Sequence, residues 1–502
     1  MELKLQTRPV PVCRTVLDAA AGHTIEVELL LPDYCPDLVR VLTCRAEARV
    51  TAAEVRGAAL TVGGEAVVTL LYLGEAESVR RIETQTAFQK RFELPCECEM
   101  PLAFASAAKE TLTCRAVSRR RVEVQGTLAV RAVVCDAAAQ AVVCGSETPQ
   151  VCLRTAETER SCLRGREEQT FSLMELVAPP PGMHLPKEIL RADCAAVLQE
   201  WTPSSDGIAL RGELCVSLLV FGEGDALETH RYTLPVSRRI ETPDAQSVGD
   251  VSLFCDGIAC TCADEDDVRT TLEAALRVSI LREKRETVAA ADDCFSVAGK
   301  ATGETTHLET ISIAERLCER VALSASAPMP EGADTVFDAF GAASPLRFEQ
   351  REEGRFLVGS VQLAALVSGE ERGLSPVSAA ANVEIALGED VGDAPIVDAR
   401  LALLSVEAVP QGEEVVWSAQ ALVSGAVLCR REQAALIGVT VDETAAAPRD
   451  PAVGLRIYYA EAGETVWEIA RACGALPQAV AEDNDLEDET LAEPRVLLIP
   501  TL

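Results

Sequence analysis

Only four histidines occur in 502 residues, at positions 23, 184, 230 and 307, and no two of the nineteen cysteines have C-x-x-C spacing. A zinc site therefore lacks its usual ligand set, and no metal or cofactor is expected. No apolar run approaches the roughly 20 residues of a membrane span. The opening MELKLQTRPVPVC has no apolar stretch of the kind that marks a secretory signal. Synthesis in a cytoplasm, with no membrane span, is the expectation. A G-x-S-x-G elbow, an H-E-x-x-H pair and a phosphate-binding glycine loop are missing too. No catalytic residue is assigned.

Basic residues are outnumbered: 46 Lys and Arg stand against 79 Asp and Glu, a formal net charge of −33. That field repels phosphate backbones, so nucleic acid is excluded as a partner. Solubility and a basic protein face remain as reasons for the charge. The cysteines offer two C-x-C pairs, Cys96 with Cys98 and Cys260 with Cys262. Alternate residues of a strand share a face, so either pair can simply pack inward. Later crosslinking between chains stays open for so many thiols.

What the chain has is repetition. AALTVGGEAVVTLLYL (58–73), DGIALRGELCVSLLVF (206–221) and EGRFLVGSVQLAALVS (353–368) align on Gly64, Gly212 and Gly359, spaced 148 and 147 residues apart. Repeats of that length are domain-sized rather than turns of a solenoid. Within each, apolar and polar residues alternate and Val, Leu and Thr abound, which predicts antiparallel strands with one buried face. The fold class is therefore mainly β: three repeated antiparallel β-sheet units, sandwich-like, over residues 1–145, 146–300 and 301–442. The aligned glycine marks a bulge, a close backbone approach or a turn that opens a strand. Two short helices are predicted, PDLVRVL (36–42) and PKEILRA (186–192), each with proline in its first turn. APPPG (178–182) separates the opening strand of unit two from its helix. Asp264-Glu265-Asp266-Asp267 reads as a solvated turn, not a calcium loop or an acid/base pair.

Residues 443–454, low in periodicity and carrying two prolines, form a linker to a different module at 455–502. There Ile457 to Tyr459 suit a strand, and Gly463 permits a sharp turn. Thr465 and Glu468 have capping-box spacing, and Val466, Ile469, Ala470 and Cys473 line one helix face. Gly474 ends that helix. Pro477 opens a second one, with Ala479 and Val480 inward and Asn484 at a left-handed end. Val496 to Ile499 close with a strand, giving a small βααβ fold. Trp467 is assigned to packing rather than to sugar stacking.

Gly463, Thr465, Ile469, Ala470, Asn484 and Leu497 to Pro500 resemble the LysM family. Glu464 stands where that family has Asp, and Glu493-Pro494-Arg495 replaces its P-G-Q turn. The resemblance implies a shallow groove for N-acetyl sugar polymer, with Gly463, Glu464, Thr465 and Val466 facing Asp485 and Leu486. The body is similar to the SPOCS family, associated with spore coats of clostridia-like bacteria. ELLLPDYCPDLVRVL (28–42), GGEAVVTLLYL (63–73) and FQKRFELP (88–95) carry that likeness. HLPKEIL is its weaker form in unit two, and unit three keeps the sheet pattern alone.

The order of the two families resembles spore-coat morphogenesis proteins, in which the LysM module binds the coat's scaffold ATPase. It implies a chain made in the mother-cell cytoplasm that assembles on the forespore surface. The alternative is a peptidoglycan-binding protein anchored on spore cortex or wall through N-acetylglucosamine polymer. A wall-active enzyme is the third and weakest reading. The tail carries ten Asp and Glu against three Arg, which suits a basic protein face better than anionic wall peptide. Deleting 455–502 is expected to abolish localisation to the forespore while the sheet units stay folded. Fluorescence microscopy of the tagged truncation, with circular dichroism, checks it; normal localisation counts against the reading.

Overall fold

In each of the three stretches that align on glycine, every second residue is buried. Leu60, Val62, Ala66, Val68, Leu70 and Tyr72 do so in the first, Ile208, Leu210, Leu214, Val216, Leu218 and Val220 in the second. Leu357, Val361, Leu363, Ala365 and Val367 do so in the third. A period of two puts these side chains on one face of a strand, and each stretch is the middle strand of a sheet. The computed structural model describes residues 3–75, 78–222, 227–262, 269–369, 372–445 and 455–500. It is 77% strand and 5% helix, arranged as several small antiparallel sheets.

The strands fall into three groups. The first runs β1 (Leu5–Pro11), β2 (Arg14–Leu30), β3 (Leu38–Arg56), β4 (Ala59–Gly74), β5 (Val79–Glu93), β6 (Pro101–Ser118), β7 (Arg121–Asp136) and β8 (Ala139–Ser146). Sheets β3-β4-β5 and β2-β7-β6 share one core, and β1 pairs with β8. The second has β9 (Val151–Val177), β10 (Glu188–Ser204), β11 (Gly207–Phe221), β12 (Leu227–Glu241), β13 (Val248–Thr261) and β14 (Thr270–Ser296). Its sheets are β10-β11-β12 and β13-β14-β9. The third has β15 (Lys300–Pro328), β16 (Thr335–Ala343), β17 (Arg347–Arg351), β18 (Gly354–Gly369), β19 (Arg372–Leu387), β20 (Ile396–Gln411) and β21 (Glu414–Asp442). There β18 lies between β19 and the β16 and β17 segments, over the sheet β15-β21-β20.

The helices expected at 36–42 and 186–192 are not formed; both segments lead into strands, β3 and β10. Seven residues make barely two helical turns, too few to offset nucleation. As strands the same residues join ladders that run from Leu38↔Gly74 to Arg56↔Ala59 and from Glu188↔Phe221 to Ser204↔Gly207. Two of the aligned glycines mark close backbone approaches, while Gly359 meets only side chains. A Cβ on Gly64 would collide with the Arg49 carbonyl and the Phe88 ring, and one on Gly212 with the Val197 carbonyl. The facing strand bulges nearby, between Val50 and Ala52 and between Leu198 and Glu200, as expected where backbones crowd.

Long ribbons join the groups. The β9–β14 and β15–β21 ladders continue past their own sheets, and β1–β8 continues the line of β2–β7 beyond a break at Val12 and Cys13. At that break the Cys13 N–H donates to the Glu309 carbonyl of β15, 2.9 Å away. The three extensions pack together. Cys13, Val133, Cys162, Leu281, Ile311 and Leu428 share one buried cluster, and Val10, Val142, Val288, Leu308 and Ala435 the next. Elsewhere Leu71, Leu219 and Leu366, one from each middle strand, meet in another shared cluster.

Buried ion pairs cross the same boundaries. Arg45 reaches Asp193 at 3.0 Å and the Gly341 carbonyl at 3.1 Å, while Arg191 forks onto Asp338 and bonds Asp193 at 2.6 Å. Both guanidinium groups lie over the Phe340 ring. Burial pushes the Asp193 carboxyl up, but Arg45 and Arg191 overcome it and hold its pKa below the ordinary value.

Asp338→Ala breaks the buried pair with Arg191, leaving that guanidinium Asp193 alone, and is expected to cost about 3–5 kcal/mol. Removing the exposed Arg56–Glu54 pair should cost under ~1 kcal/mol. Urea unfolding compares the two. Because the folded-state pKa of Asp193 is depressed, its contribution is complete above the unfolded carboxyl value of ~3.9 and is lost as pH falls through the folded value. The unfolding midpoint of the wild type should therefore drop below about pH 4, and less steeply in Asp193→Asn.

Candidate functional site

The C-terminal segment builds its own small layer. Strand β22 (Leu455–Ala460) pairs antiparallel with β23 (Arg495–Pro500), and helices α1 (Val466–Cys473) and α2 (Pro477–Asp483) lie between them in sequence. The Thr465 hydroxyl accepts from the Glu468 N–H at 3.2 Å, and the Glu468 carboxylate accepts from the Thr465 N–H at 3.0 Å, so two N–H donors at the start of the helix are satisfied. Gly474 ends α1 in the left-handed region, and Pro477 starts α2. Val466, Ile469, Ala470, Val480, Leu491, Leu497 and Ile499 form the core.

Asn484 is not left-handed; that conformation passes to Asp485, with φ 51°. The Asn484 side chain is needed elsewhere. Its amide donates to the Val480 and Leu498 carbonyls, both at 2.8 Å, and its oxygen accepts from the Leu498 N–H at 2.7 Å. It clamps the end of α2 onto β23.

The residues expected to line a groove are largely engaged with their own chain. Gly463 N–H donates to the Leu491 carbonyl at 2.8 Å, Leu491 N–H to the Glu464 carbonyl at 3.0 Å, and Val466 N–H to the Glu489 carbonyl at 2.8 Å. Thr465 also bridges Thr490, so the first turn is laid against residues 489–491. The Glu464 carboxylate accepts from the Tyr458 hydroxyl at 2.9 Å and from the Glu461 N–H at 2.8 Å. Val466 is buried and Leu486 packs on the same core, while Asp485 is exposed.

Two features escaped the sequence reading. The outer face of the β22–β23 pair is apolar and open: Leu455, Ile457, Tyr459, Val496 and Leu498 are 50, 61, 76, 53 and 41% exposed. Ile457 opposes Leu498 and Tyr459 opposes Val496, so they form one surface. The signal was present in VLLI, an unbroken apolar run in a strand with only one face to bury. The second feature is docking of the segment on the body. Trp467 packs edge-on against Phe295 of β14 at 4.8 Å and donates its indole N–H to Asp293 at 3.0 Å. Arg471 reaches the same carboxylate oxygen at 2.6 Å. Cys152 of β9 is buried in that junction, and burial pushes its thiol up to about 11.

A shallow pocket of 580 Å³ opens between the second and third groups, beside Met183, Leu227, Phe337 and Val409. Its polar groups are turned on one another: Asp338 takes Arg191 and Thr229, and Glu228 takes His184. Among the described residues no three His, Cys, Asp or Glu are placed to hold a metal, and no helix is long and apolar enough to cross a membrane. The expected acidic turn at 264–267 and residues 446–454 of the expected linker lie outside the described residues; Glu443–Ala445 form a single 3₁₀ turn. Compared with protein-family models, with curated proteins and with solved structures, the chain finds no match.

Asp293→Ala removes the two hydrogen bonds that cross the junction to this charged acceptor, each of about 1.5–3 kcal/mol, and should raise the open population of the junction at least ~10-fold. The alkylation rate of Cys152 by iodoacetamide, read by mass spectrometry, is the measure. An unchanged rate would mean that the segment is held by other contacts.

Proposed function

We propose that this chain is a non-enzymatic assembly protein of the spore coat, whose C-terminal LysM-like module tethers its SPOCS-like body to a coat scaffold protein at the forespore surface. The observation that carries the reading is the open apolar face of Leu455, Ile457, Tyr459, Val496 and Leu498. An apolar face of that kind is what a protein partner covers. Sugar polymer is instead held by polar groups in a groove, and in the first turn the Gly463 and Val466 N–H groups and the Glu464 carbonyl already have partners.

Charge narrows the partner. With ten acidic side chains against three arginines, the module is negative as a whole. The matching surface presents apolar side chains flanked by Lys or Arg. Within the resemblance, the scaffold ATPase of the coat is the partner that fills this role, and mother-cell cytoplasm is where the two meet.

The test uses the full chain, immobilised, with lysate of sporulating cells and purified peptidoglycan in parallel. Capture of a coat scaffold protein that falls more than ~10-fold in Ile457→Asp, with circular dichroism unchanged, is expected, since a buried aliphatic contact is worth about 1.5–3 kcal/mol. Sedimentation with peptidoglycan that Ile457→Asp leaves intact, without protein capture, would return the module to glycan binding and make the chain a cortex anchor.

A further inference from the structure

Cys194 lies on β10, opposite Val216, and Cys255 lies on β13, opposite Leu276. The two strands belong to different sheets, with no backbone ladder between them. Both side chains pack against the core that the sheets enclose. Their sulfur atoms are 2.9 Å apart, across 61 residues of sequence. A disulfide needs about 2.05 Å, so a shift of under an ångström, well within side-chain rotation, would close it. Cys255 sits beside a bulge in its ladder, between Cys255 and Gly257, where backbone can yield.

We infer that Cys194 and Cys255 are a dithiol site that oxidises to an intramolecular disulfide and staples the two layers of the second sheet pair. The co-reactant is a small-molecule disulfide. The Cys255 thiolate attacks one of its sulfurs, and one small thiolate leaves. Cys194 then gives up its proton and attacks the Cys255 sulfur of the mixed disulfide, and the second small thiolate leaves. Across the two steps the protein loses two electrons and two protons, and the small disulfide is reduced to two thiols.

The order of attack follows from the environment. The hydrogen bond to Cys255, with burial, raises the Cys194 thiol well above its ordinary pKa, so Cys194 keeps its proton and is the poorer first nucleophile. The first group has a cross-sheet thiol pair of its own. There Cys44 of β3 meets Cys114 of β6 across its own pair of sheets, and their hydrogen bond raises Cys44 and lowers Cys114. In the third group the strands equivalent to these, β16 and β20, contain no cysteine.

The test incubates the full-length reduced chain with oxidised glutathione, alkylates the remaining thiols and maps peptides by mass spectrometry. The expected product is a Cys194–Cys255 cross-link within one chain, reversed by dithiothreitol. It should raise the thermal midpoint by several degrees over the reduced protein, because the closed loop restricts the unfolded chain. In Cys194→Ser the cross-link is absent and glutathione stays on Cys255. Recovery of both cysteines alkylated in the wild type would overturn the inference. So would their joining only to glutathione or to a second chain.

Discussion

Everything in the body depends on one requirement: the ribbon extensions have no second layer of their own. A two-stranded ribbon buries almost nothing alone and is at best marginally stable in water. Here each ribbon finds its second layer in the other two, so Cys13, Cys162 and Ile311 become interior only when all three are in place. Each sheet pair has a private core, but the pairs cannot drift apart without opening the shared one.

The polar contacts between groups follow from that requirement. Strands brought side by side by apolar packing place their flanking arginines and carboxylates at the seam. Such charges must be paired where water is excluded. Arg45, Asp193, Arg191 and Asp338 form one such seam, with the Phe340 ring beneath two of the guanidinium groups. Arg277, Asp256, Glu168 and Arg400 form another, with Phe254 beneath Arg277 and Arg400. These pairs add little net stability, because desolvation offsets most of their Coulomb attraction.

What the sequence disclosed was local. Alternation over LTVGGEA told the buried face of β4, and Thr465 with Glu468 told how α1 begins, because both patterns are complete within a few residues. PDLVRVL was misread because a short apolar pattern with a leading proline satisfies either state, and only its pairing with β4 decides. Asn484 was misread because the partners of its side chain include Leu498, fourteen residues away. The docking of the C-terminal segment was invisible for the same reason at larger scale. Trp467 and Asp293 are 174 residues apart, and nothing in either neighbourhood names the other. The groove residues were legible only through resemblance, which gives positions but not which backbone groups are already occupied.

Three ribbons closing one column is an arrangement that three separate chains could also build. In one chain, however, the encounter of the parts is set by their tether lengths and not by how much protein the cell holds. A column of separate subunits comes apart on dilution; this one has no such threshold. Three identical chains would also have to offer the same face three times. A single chain can place Asp293 and Phe295 on one ribbon alone, so that a single C-terminal module is seated at a single position.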